Sequence, residues 1–396
     1  MEIGLVGKPN VGKSTFFSAA TMANAEIANY PFTTIEANKG VGYVRSPCPC
    51  TEFEKQCNPN NADCINGTRH VPVEIIDVAG LVKDAHQGKG LGNKFLDDLS
   101  RASVLIHIID ASGSTDAEGQ PCEIGSHDPV EDVQFLEDEI SFWIKDILER
   151  DWRRLSRQVK AEGKKLSVLL HDKLTGLGLS ESDIHSALRE AALEGDPYKW
   201  DDEQMLTLCR CIRRIGKPII IAANKCDKAP KENIERLKAL EGFKVIPTTA
   251  DYELALRKAS KAGLVEYEIG SGKFEILKKD ALNQQQLKAL EHIQEILDEY
   301  GSTGVQLCLE EAIYNILDQI VVYPVEDETH FTDKQERVLP DAYLMKRGST
   351  AHDLAFKVHT DLGENFIRAI DARTHRVIGH DHELKDKDII KIVAKA

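Results

Sequence analysis

The stretch "GKPNVGKS" at residues 7–14 decides the fold of this chain. It matches the pattern G-x-x-x-x-G-K-[S/T], and it lies between an apolar strand-like segment and a helical pattern, as a phosphate-binding loop requires. Gly7 and Gly12 let the backbone curl so that successive N–H groups face phosphate oxygens, next to the positive end of the helix. We therefore expect Lys13 to reach the β- and γ-phosphates of a nucleotide and Ser14 to offer its hydroxyl to Mg²⁺.

A second motif, D-x-x-G, is formed by Asp77 and Gly80 after the apolar run that ends at Asp77. This spacing is expected to place a carboxylate near Mg²⁺ and a mobile backbone N–H near the γ-phosphate. Leu81 follows, at a position where many GTPases have a glutamine that orients the attacking water. The sequence therefore predicts a phosphate site but not the residue that positions the water.

Two further motifs concern the base. Residues 224–227 read N-K-C-D after a fully apolar strand-like run. The carboxylate of Asp227 can accept two hydrogen bonds from the N1–H and the exocyclic amine of guanine, a donor pair that adenine lacks, so we expect GTP rather than ATP. Thr249 and Ala250 end the next strand-like run, where a backbone N–H could meet the guanine oxygen. The complete set of predicted nucleotide-binding residues is Gly7, Pro9, Asn10, Val11, Gly12, Lys13, Ser14, Thr15, Asp77, Gly80, Asn224, Lys225, Asp227, Thr249 and Ala250.

Composition sets the broad class. The chain has 396 residues, enough for two or three domains. Its net charge of −15 argues against a surface that is basic overall and binds nucleic acid through its charge. No apolar run approaches the ~20 residues of a membrane helix. Nine cysteines without a signal-peptide pattern suggest thiols or a metal site rather than disulfides. We expect a soluble, cytoplasmic protein without a membrane or DNA partner.

The pattern of apolar runs predicts an α/β fold. Strand-like runs at residues 3–6, 41–44, 73–76, 104–109, 219–222 and 244–247 are largely apolar throughout, as in a doubly wound, mostly parallel sheet. The expected organisation is a P-loop NTPase G domain with trailing helices at 1–128 and 208–319, a helical insertion at 129–207 and a small α+β terminal domain at 320–396.

Five stretches together carry a family resemblance. They are "GKPNVGKSTFFSA", "NYPFTTIEANKG", "DVAGLVKDAHQGKGLGNKFLDDL", "NKCD" and "LMKRGSTAHDLAFKVHTDLGENFIRAID". The chain resembles an Obg-family GTPase of the YchF-like branch in its archaeal form, and its last stretch resembles a TGS domain, a small β-grasp-like module. Many YchF-like proteins carry Glu in place of the final Asp of N-K-x-D, a change associated with ATP use. Because Asp227 is present here, we expect GTP and GDP, with ATP as the alternative.

The resemblance also bears on hydrolysis, because an apolar residue after D-x-x-G is what this group carries. Two residues could replace the missing glutamine. Asn10 could help to hold a potassium ion near the phosphates, as a P-loop asparagine does in related GTPases, and His86 could approach a water when the glycine-rich segment orders. Both also fit structural roles, a turn and a solvated side chain. Thr34 is expected to bind Mg²⁺ with Ser14 and Asp77, with Thr33 as the second choice. We therefore predict slow intrinsic hydrolysis in which Lys13, Asn10, Gly80 and His86 take part.

A separate cluster of cysteines lies in the sequence "CPCTEFEKQCNPNNADC". Cys48, Cys50, Cys57 and Cys64 could close a tetrahedral zinc site, although their spacing is not a common zinc pattern. Reduced cysteines in a variable loop are the alternative.

The expected partners follow from the resemblance. TGS modules are found in translation-linked and nucleotide-signalling proteins, which implies a ribosome, rRNA or translation-factor contact through the TGS domain and the helical insertion. The rival hypothesis is a nucleotide-dependent protein-interaction regulator outside translation. The near-neutral terminal domain gives no independent support for strong phosphate binding.

Overall fold

The computed structural model describes residues 2–21, 39–78 and 98–395. The chain divides into two compact units. Among the residues described, the first comprises 2–20, 39–40, 74–78 and 98–308, and the second comprises 41–73 and 309–395 together with Thr21.

Five parallel strand segments build the first unit, in the order β4-β1-β5-β6-β7. Their bounds are β1 Glu2–Val6, β4 Thr68–Asp77, β5 Ala102–Asp110, β6 Ile219–Asn224 and β7 Lys244–Pro247. β5 and β6 are almost entirely buried, which explains their largely apolar sequences. The α/β prediction and the strand positions expected for this sheet are confirmed.

Helices follow the strands of the first unit. They are α1 Lys13–Thr21, α2 Pro129–Glu149, α3 Trp152–Glu162, α4 Leu166–Leu174, α5 Glu181–Ala191, α6 Asp202–Gly216, α7 Lys231–Lys238, α8 Ala250–Lys261, α9 Gln284–Tyr300 and α10 Val305–Glu310. A two-stranded antiparallel ribbon, β8 Val265–Tyr267 and β9 Phe274–Ile276, lies between α8 and α9. No helix in the described ranges is both long and apolar enough to cross a bilayer.

The residues just before and at the start of α2 explain why this helix begins at Pro129. Asp128 caps the helix by accepting a hydrogen bond from the Val130 N–H, and Pro129 occupies the first turn, where no N–H partner is needed. The buried side chains of α2, including Trp143, form one hydrophobic cluster with the other insertion helices and with Leu105 of β5. These helices therefore pack directly onto the parallel sheet of the first unit.

The second unit contains the terminal domain. A five-stranded sheet has the order β11-β10-β14-β12-β13, and α11 packs on it through Leu354. The bounds are β10 Gln319–Val325, β11 Tyr343–Lys346, α11 Ala351–Val358, α12 Thr360–Glu364, β12 Phe366–Asp371, β13 Arg376–Ile378 and β14 Ile389–Ala394. The same unit contains most of β2 Lys39–Pro47, the short β3 Asp63–Ile65 and the first part of β4, and both β2 and β3 pair with β4.

Candidate nucleotide site

The motif residues of the first unit collect at one edge of the sheet. The register pairs Leu5 of β1 with Asp77 of β4, and Asp110 of β5 with Asn224 of β6. Because parallel strands end at the same edge, Asp77 at the end of β4 and the segments after β1, β5, β6 and β7 meet there. This is the edge at which open α/β sheets bind ligands.

Close backbone approaches explain the two glycines of the P-loop. A Cβ on Gly7 would lie 2.6 Å from the carbonyl oxygen of Ile108. A Cβ on Gly12, which has φ +97°, would lie 2.3 Å from the Asn224 side-chain nitrogen. Only glycine fits either position without displacing a neighbour.

Lys13 and Asp77 lie in contact. The Lys13 Nζ forms an ion pair with the Asp77 carboxylate and donates a hydrogen bond to the Val78 carbonyl oxygen at 3.0 Å. Both side chains are partly exposed, at 15% and 24%, so a ligand can reach them. The structure thus brings together the lysine of the P-loop and the aspartate of D-x-x-G.

Asn224 connects the P-loop with the segment after β7. Its side-chain nitrogen donates to the Val11 carbonyl oxygen at 2.8 Å, and its side-chain oxygen accepts from the Ala250 N–H at 3.0 Å. Asn224 is 3% exposed, so both bonds are shielded from water. The phosphate-binding and proposed base-binding segments therefore share one buried amide.

Asp227 lies beside Tyr252. The Asp227 side chain is only 7% exposed, and its negative charge acts on the tyrosine hydroxyl. Burial raises the pKa of Tyr252 above its ordinary value, and the negative charge of Asp227 raises it further. Tyr252 was not predicted as a site residue, because a lone tyrosine in a helical pattern carries no signal of its own.

Asp110 is the main site residue that sequence reasoning missed. It is fully buried and accepts hydrogen bonds from Lys225 Nζ at 2.8 Å, from Ser114 Oγ at 2.9 Å and from the backbone N–H of Ser112 at 3.1 Å. Burial raises the pKa of Asp110, but the bonds from Lys225 and Ser112 outweigh it and leave the pKa below its ordinary value. The ionised carboxylate holds Lys225, whose backbone has φ +59°. A charged residue directly after an apolar strand was the available signal.

The segment between β5 and α2 also contacts the P-loop. The Asn10 side-chain nitrogen donates to the Gly119 carbonyl oxygen at 2.8 Å. The buried Lys8 donates to the Thr115 carbonyl oxygen at 3.0 Å and forms an ion pair with Asp132 of α2 at 2.8 Å. None of these three contacts was predicted, because the partners are far apart in sequence and follow no local pattern.

Ser14 and Thr15 occupy the first turn of α1, with Ser14 exposed and Thr15 half-buried. A serine hydroxyl and the Asp77 carboxylate are hard oxygen ligands of the kind that Mg²⁺ prefers, so this donor set fits the ion. Other predicted residues, namely Thr33, Thr34, Gly80, Leu81 and His86, lie outside the described residues.

The predicted cysteine cluster is assembled within the second unit. The Sγ atoms of Cys48, Cys50, Cys57 and Cys64 all lie within 4.8 Å of one another. From the sequence we expect all four cysteines in a loop between the second and third strand-like runs, and this is wrong for Cys64, which lies on the short strand β3, paired with Arg69 of β4. A three-residue strand with polar neighbours gives too weak a pattern to predict.

Three family models match parts of this chain. A family model described as a 50S ribosome-binding GTPase matches residues 2–137, one described as an Obg-like GTPase YGR210-like, G4 motif-containing domain matches 222–327, and the TGS domain model matches 332–394. The uncharacterized GTP-binding protein MJ1332 of Methanocaldococcus jannaschii is 54% identical, over 100% of this chain and 99% of its own.

Two further proteins are similar to this chain at lower sequence identity. The crystal structure of a GTP binding protein from Pyrococcus horikoshii OT3 superposes with a TM-score of 0.77 at 44% identity, covering 100% of both chains. The ribosome-binding ATPase YchF of Bacillus subtilis is 28% identical over 93% of this chain and 87% of its own. On this sequence similarity, and with the P-loop fold and the TGS domain in place, the chain belongs to the family of Obg-like, YchF-related GTPases.

Proposed function

We propose that this protein is a molecular switch that binds GTP and hydrolyses it slowly to GDP and phosphate. The observation that carries the proposal is the position of Asn224, which bonds to Val11 on the phosphate side and to Ala250 on the base side. This amide fixes the distance between the two halves of a nucleotide site, so Asp227 and the P-loop can engage one ligand.

The base is guanine in this proposal. Asp227 offers two carboxylate oxygens to the N1–H and the exocyclic amine of guanine. The N–H groups of Thr249 and Ala250 already donate to the Thr303 carbonyl oxygen and to the Asn224 side chain, so they have no part in reading the guanine oxygen in this proposal. The alternative is an ATPase of the same fold, since the Bacillus subtilis relative is named an ATPase. GTP should displace a labelled guanine nucleotide far better than ATP, and equal displacement would favour the ATPase.

The phosphates belong at the P-loop. GTP would bring negative charge to Lys13, which now pairs with Asp77, and release of this carboxylate would let it join Ser14 and Thr34 around Mg²⁺. The ion would neutralise charge on the phosphate oxygens. Gly80 and the residues after it would sense the γ-phosphate and relax after hydrolysis, as switch segments do.

Hydrolysis is proposed to be slow because Leu81 cannot orient water. The side-chain nitrogen of Asn10 donates a hydrogen bond to the Gly119 carbonyl oxygen. The side-chain oxygen of Asn10 is therefore the atom that could ligate K⁺. Such a cation would stabilise the charge that develops on the phosphates, and His86 is the second candidate for assisting the water.

A ribosome contact, through the TGS domain and the helical insertion, is the partner we propose. Its support is the name of the Bacillus subtilis relative, a ribosome-binding ATPase, together with the TGS domain at residues 332–394. The second candidate is a regulator outside translation whose TGS domain is bound by another protein. Both place the protein in the cytoplasm.

Measuring GTP turnover tests the proposal. Rates would be compared in K⁺ and Na⁺ buffers, with and without large ribosomal subunits, for the native protein and for Asn10→Ala. We expect low turnover that rises with subunits and with K⁺, and no K⁺ effect in the variant. A rate near 10 per second without any partner would contradict a switch. Turnover unaffected by subunits would favour the regulator outside translation.

A further inference from the structure

The four-cysteine cluster has the dimensions of a single-ion site. Cys48 Sγ lies 4.0 Å from Cys57 Sγ, and Cys50 Sγ lies 3.8 Å from Cys64 Sγ. A tetrahedral zinc ion with Zn–S bonds of about 2.3 Å requires sulfur–sulfur separations of about 3.8 Å. All four cysteines are free thiols, and their Sγ atoms, all within 4.8 Å of one another, are close to the spacing that one tetrahedral ion needs.

Local backbone structure sets this geometry before any ion is considered. Asn66 and Gly67, both with positive φ, form the tight turn between β3 and β4, and this hairpin presents Cys64. The Gly67 carbonyl oxygen accepts a hydrogen bond from the Cys48 N–H at 2.8 Å, which brings the start of the cysteine loop, residues 48–64, beside its end. The thiols are therefore placed by hydrogen bonds rather than by chance proximity.

The charge beside the cluster is a second, independent observation. Arg69 is fully buried, and its Nη2 lies 3.6 Å from Cys48 Sγ. Its Nε and Nη1 atoms have no hydrogen-bond partner, and no carboxylate forms an ion pair with it, within the described ranges 2–21, 39–78 and 98–395. Nη2 also donates to the Leu339 carbonyl oxygen at 2.9 Å, and the guanidinium lies over the Tyr323 ring, but neither contact carries a negative charge. Because a guanidinium cannot lose its charge, its burial favours negative charge nearby. Four thiolates around Zn²⁺ carry a net charge of −2 and supply it.

The cysteine loop also contacts the terminal domain within the same unit. The Asn58 N–H donates to the Val338 carbonyl oxygen at 3.1 Å, and the Asn60 N–H donates to that of Pro340 at 2.6 Å. The Asn61 side chain exchanges two bonds of 3.0 Å with the backbone of Ala342. An ion that fixed the loop would thereby fix residues 338–342, which lead into β11.

We propose that Cys48, Cys50, Cys57 and Cys64 bind one structural Zn²⁺ as thiolates, and that the ion holds the cysteine loop against residues 338–342. Arg69 donates to Cys48 and balances the charge of the site. Such a site has no open coordination position, so its role is stability and order rather than catalysis. Metal binding releases the four thiol protons to solvent.

The first experiment is elemental analysis of the full-length protein purified without chelators or metal-affinity resin. We expect one zinc per chain and four thiols that become titratable only after the metal is removed. Cys50→Ser and Cys64→Ser should lose the zinc, whereas Cys211→Ser, a half-buried cysteine of α6, should retain it. Iron in place of zinc, or metal-free protein with four freely titrating thiols, would overturn the proposal.

Hydrogen exchange separates a structural ion from an incidental one and does not depend on whether the variants fold. Removal of zinc from the native protein should speed amide exchange at residues 58–61 and 338–342 at least tenfold and leave β5 unchanged. Re-addition of Zn²⁺ should restore protection. Unchanged exchange at both segments after complete removal would overturn the claim that the ion holds them.

Discussion

The Nζ atom of Lys13 forms an ion pair with the carboxylate of Asp77, and the two residues come from different motifs at the ends of neighbouring strands. In the function we propose, this contact between the P-loop lysine and the D-x-x-G aspartate marks the place of the γ-phosphate and its magnesium ion. The predictions below follow from this pair and from the buried amide of Asn224.

Lys13→Met should remove phosphate binding without unfolding the protein. The ion pair with Asp77 is partly exposed, so its loss should change the free energy of unfolding by no more than about 1 kcal/mol. GTP affinity should fall at least tenfold, as measured by calorimetric titration, since a charge-assisted contact contributes about 1.5–3 kcal/mol. Lys238→Met, an exposed change in α7, is the matched control and should bind normally. Normal GTP binding by Lys13→Met would contradict the site.

Asn224→Ala should weaken both stability and nucleotide binding. The change leaves the Val11 carbonyl and the Ala250 N–H without their buried partner, at a cost of about 1–3 kcal/mol in the free energy of unfolding. Gly12→Ala should give a similar loss of affinity, because the new methyl group would meet the same amide. Denaturant unfolding and GDP titration check both variants, and unchanged GDP affinity in either one would refute the bridging role.

Asp227→Asn should change base preference rather than abolish binding. An asparagine offers one acceptor and one donor, so it loses the bond to the exocyclic amine of guanine but can donate to the corresponding carbonyl of xanthine. GDP affinity should fall about 10- to 100-fold while affinity for xanthosine diphosphate rises. Asp172→Asn, exposed on α4, should leave both unchanged. If the affinities for GDP and for xanthosine diphosphate both fell, the Asp227 carboxylate would not be the group that recognises the base.

The buried His107 should make stability depend on pH. It is 3% exposed, and burial lowers its pKa to about 3, with a further contribution from the positive charge of Lys8. The unfolded chain, with an ordinary histidine pKa near ~6.5, binds a proton that the folded chain does not bind between these values. The free energy of unfolding should therefore fall as pH decreases below ~6.5, by up to about 1.4 kcal/mol per pH unit.

His107→Gln provides the comparison, because it removes the titrating group. Denaturant unfolding between pH 5.5 and 7 should show a shallower pH slope for the variant than for the native protein. Equal slopes would mean that His107 is protonated in the folded state.

Much of the fold could be predicted because buried parallel strands have continuous apolar sequences, and residues 219–223 of the fully buried strand β6 illustrate this. The motif residues could be predicted to meet because each follows such a strand. The contact between Lys8 and Asp132 could not, since its partners are 124 positions apart and no local periodicity links them. The sequence shows Asp110 only as a charged residue at the end of a strand. The hydrogen bond from Lys225, which gives Asp110 its role, is formed only in the fold.

The central claim is that this site selects a guanine nucleotide, and titration of the purified full-length chain with GDP and with ADP in Mg²⁺ buffer tests it most directly. The account predicts that GDP binds at least about 100-fold more tightly, because ADP leaves the Asp227 carboxylate without its two donors. ADP binding as tightly as GDP would contradict the account and would assign the protein to the ATP-using members of the fold.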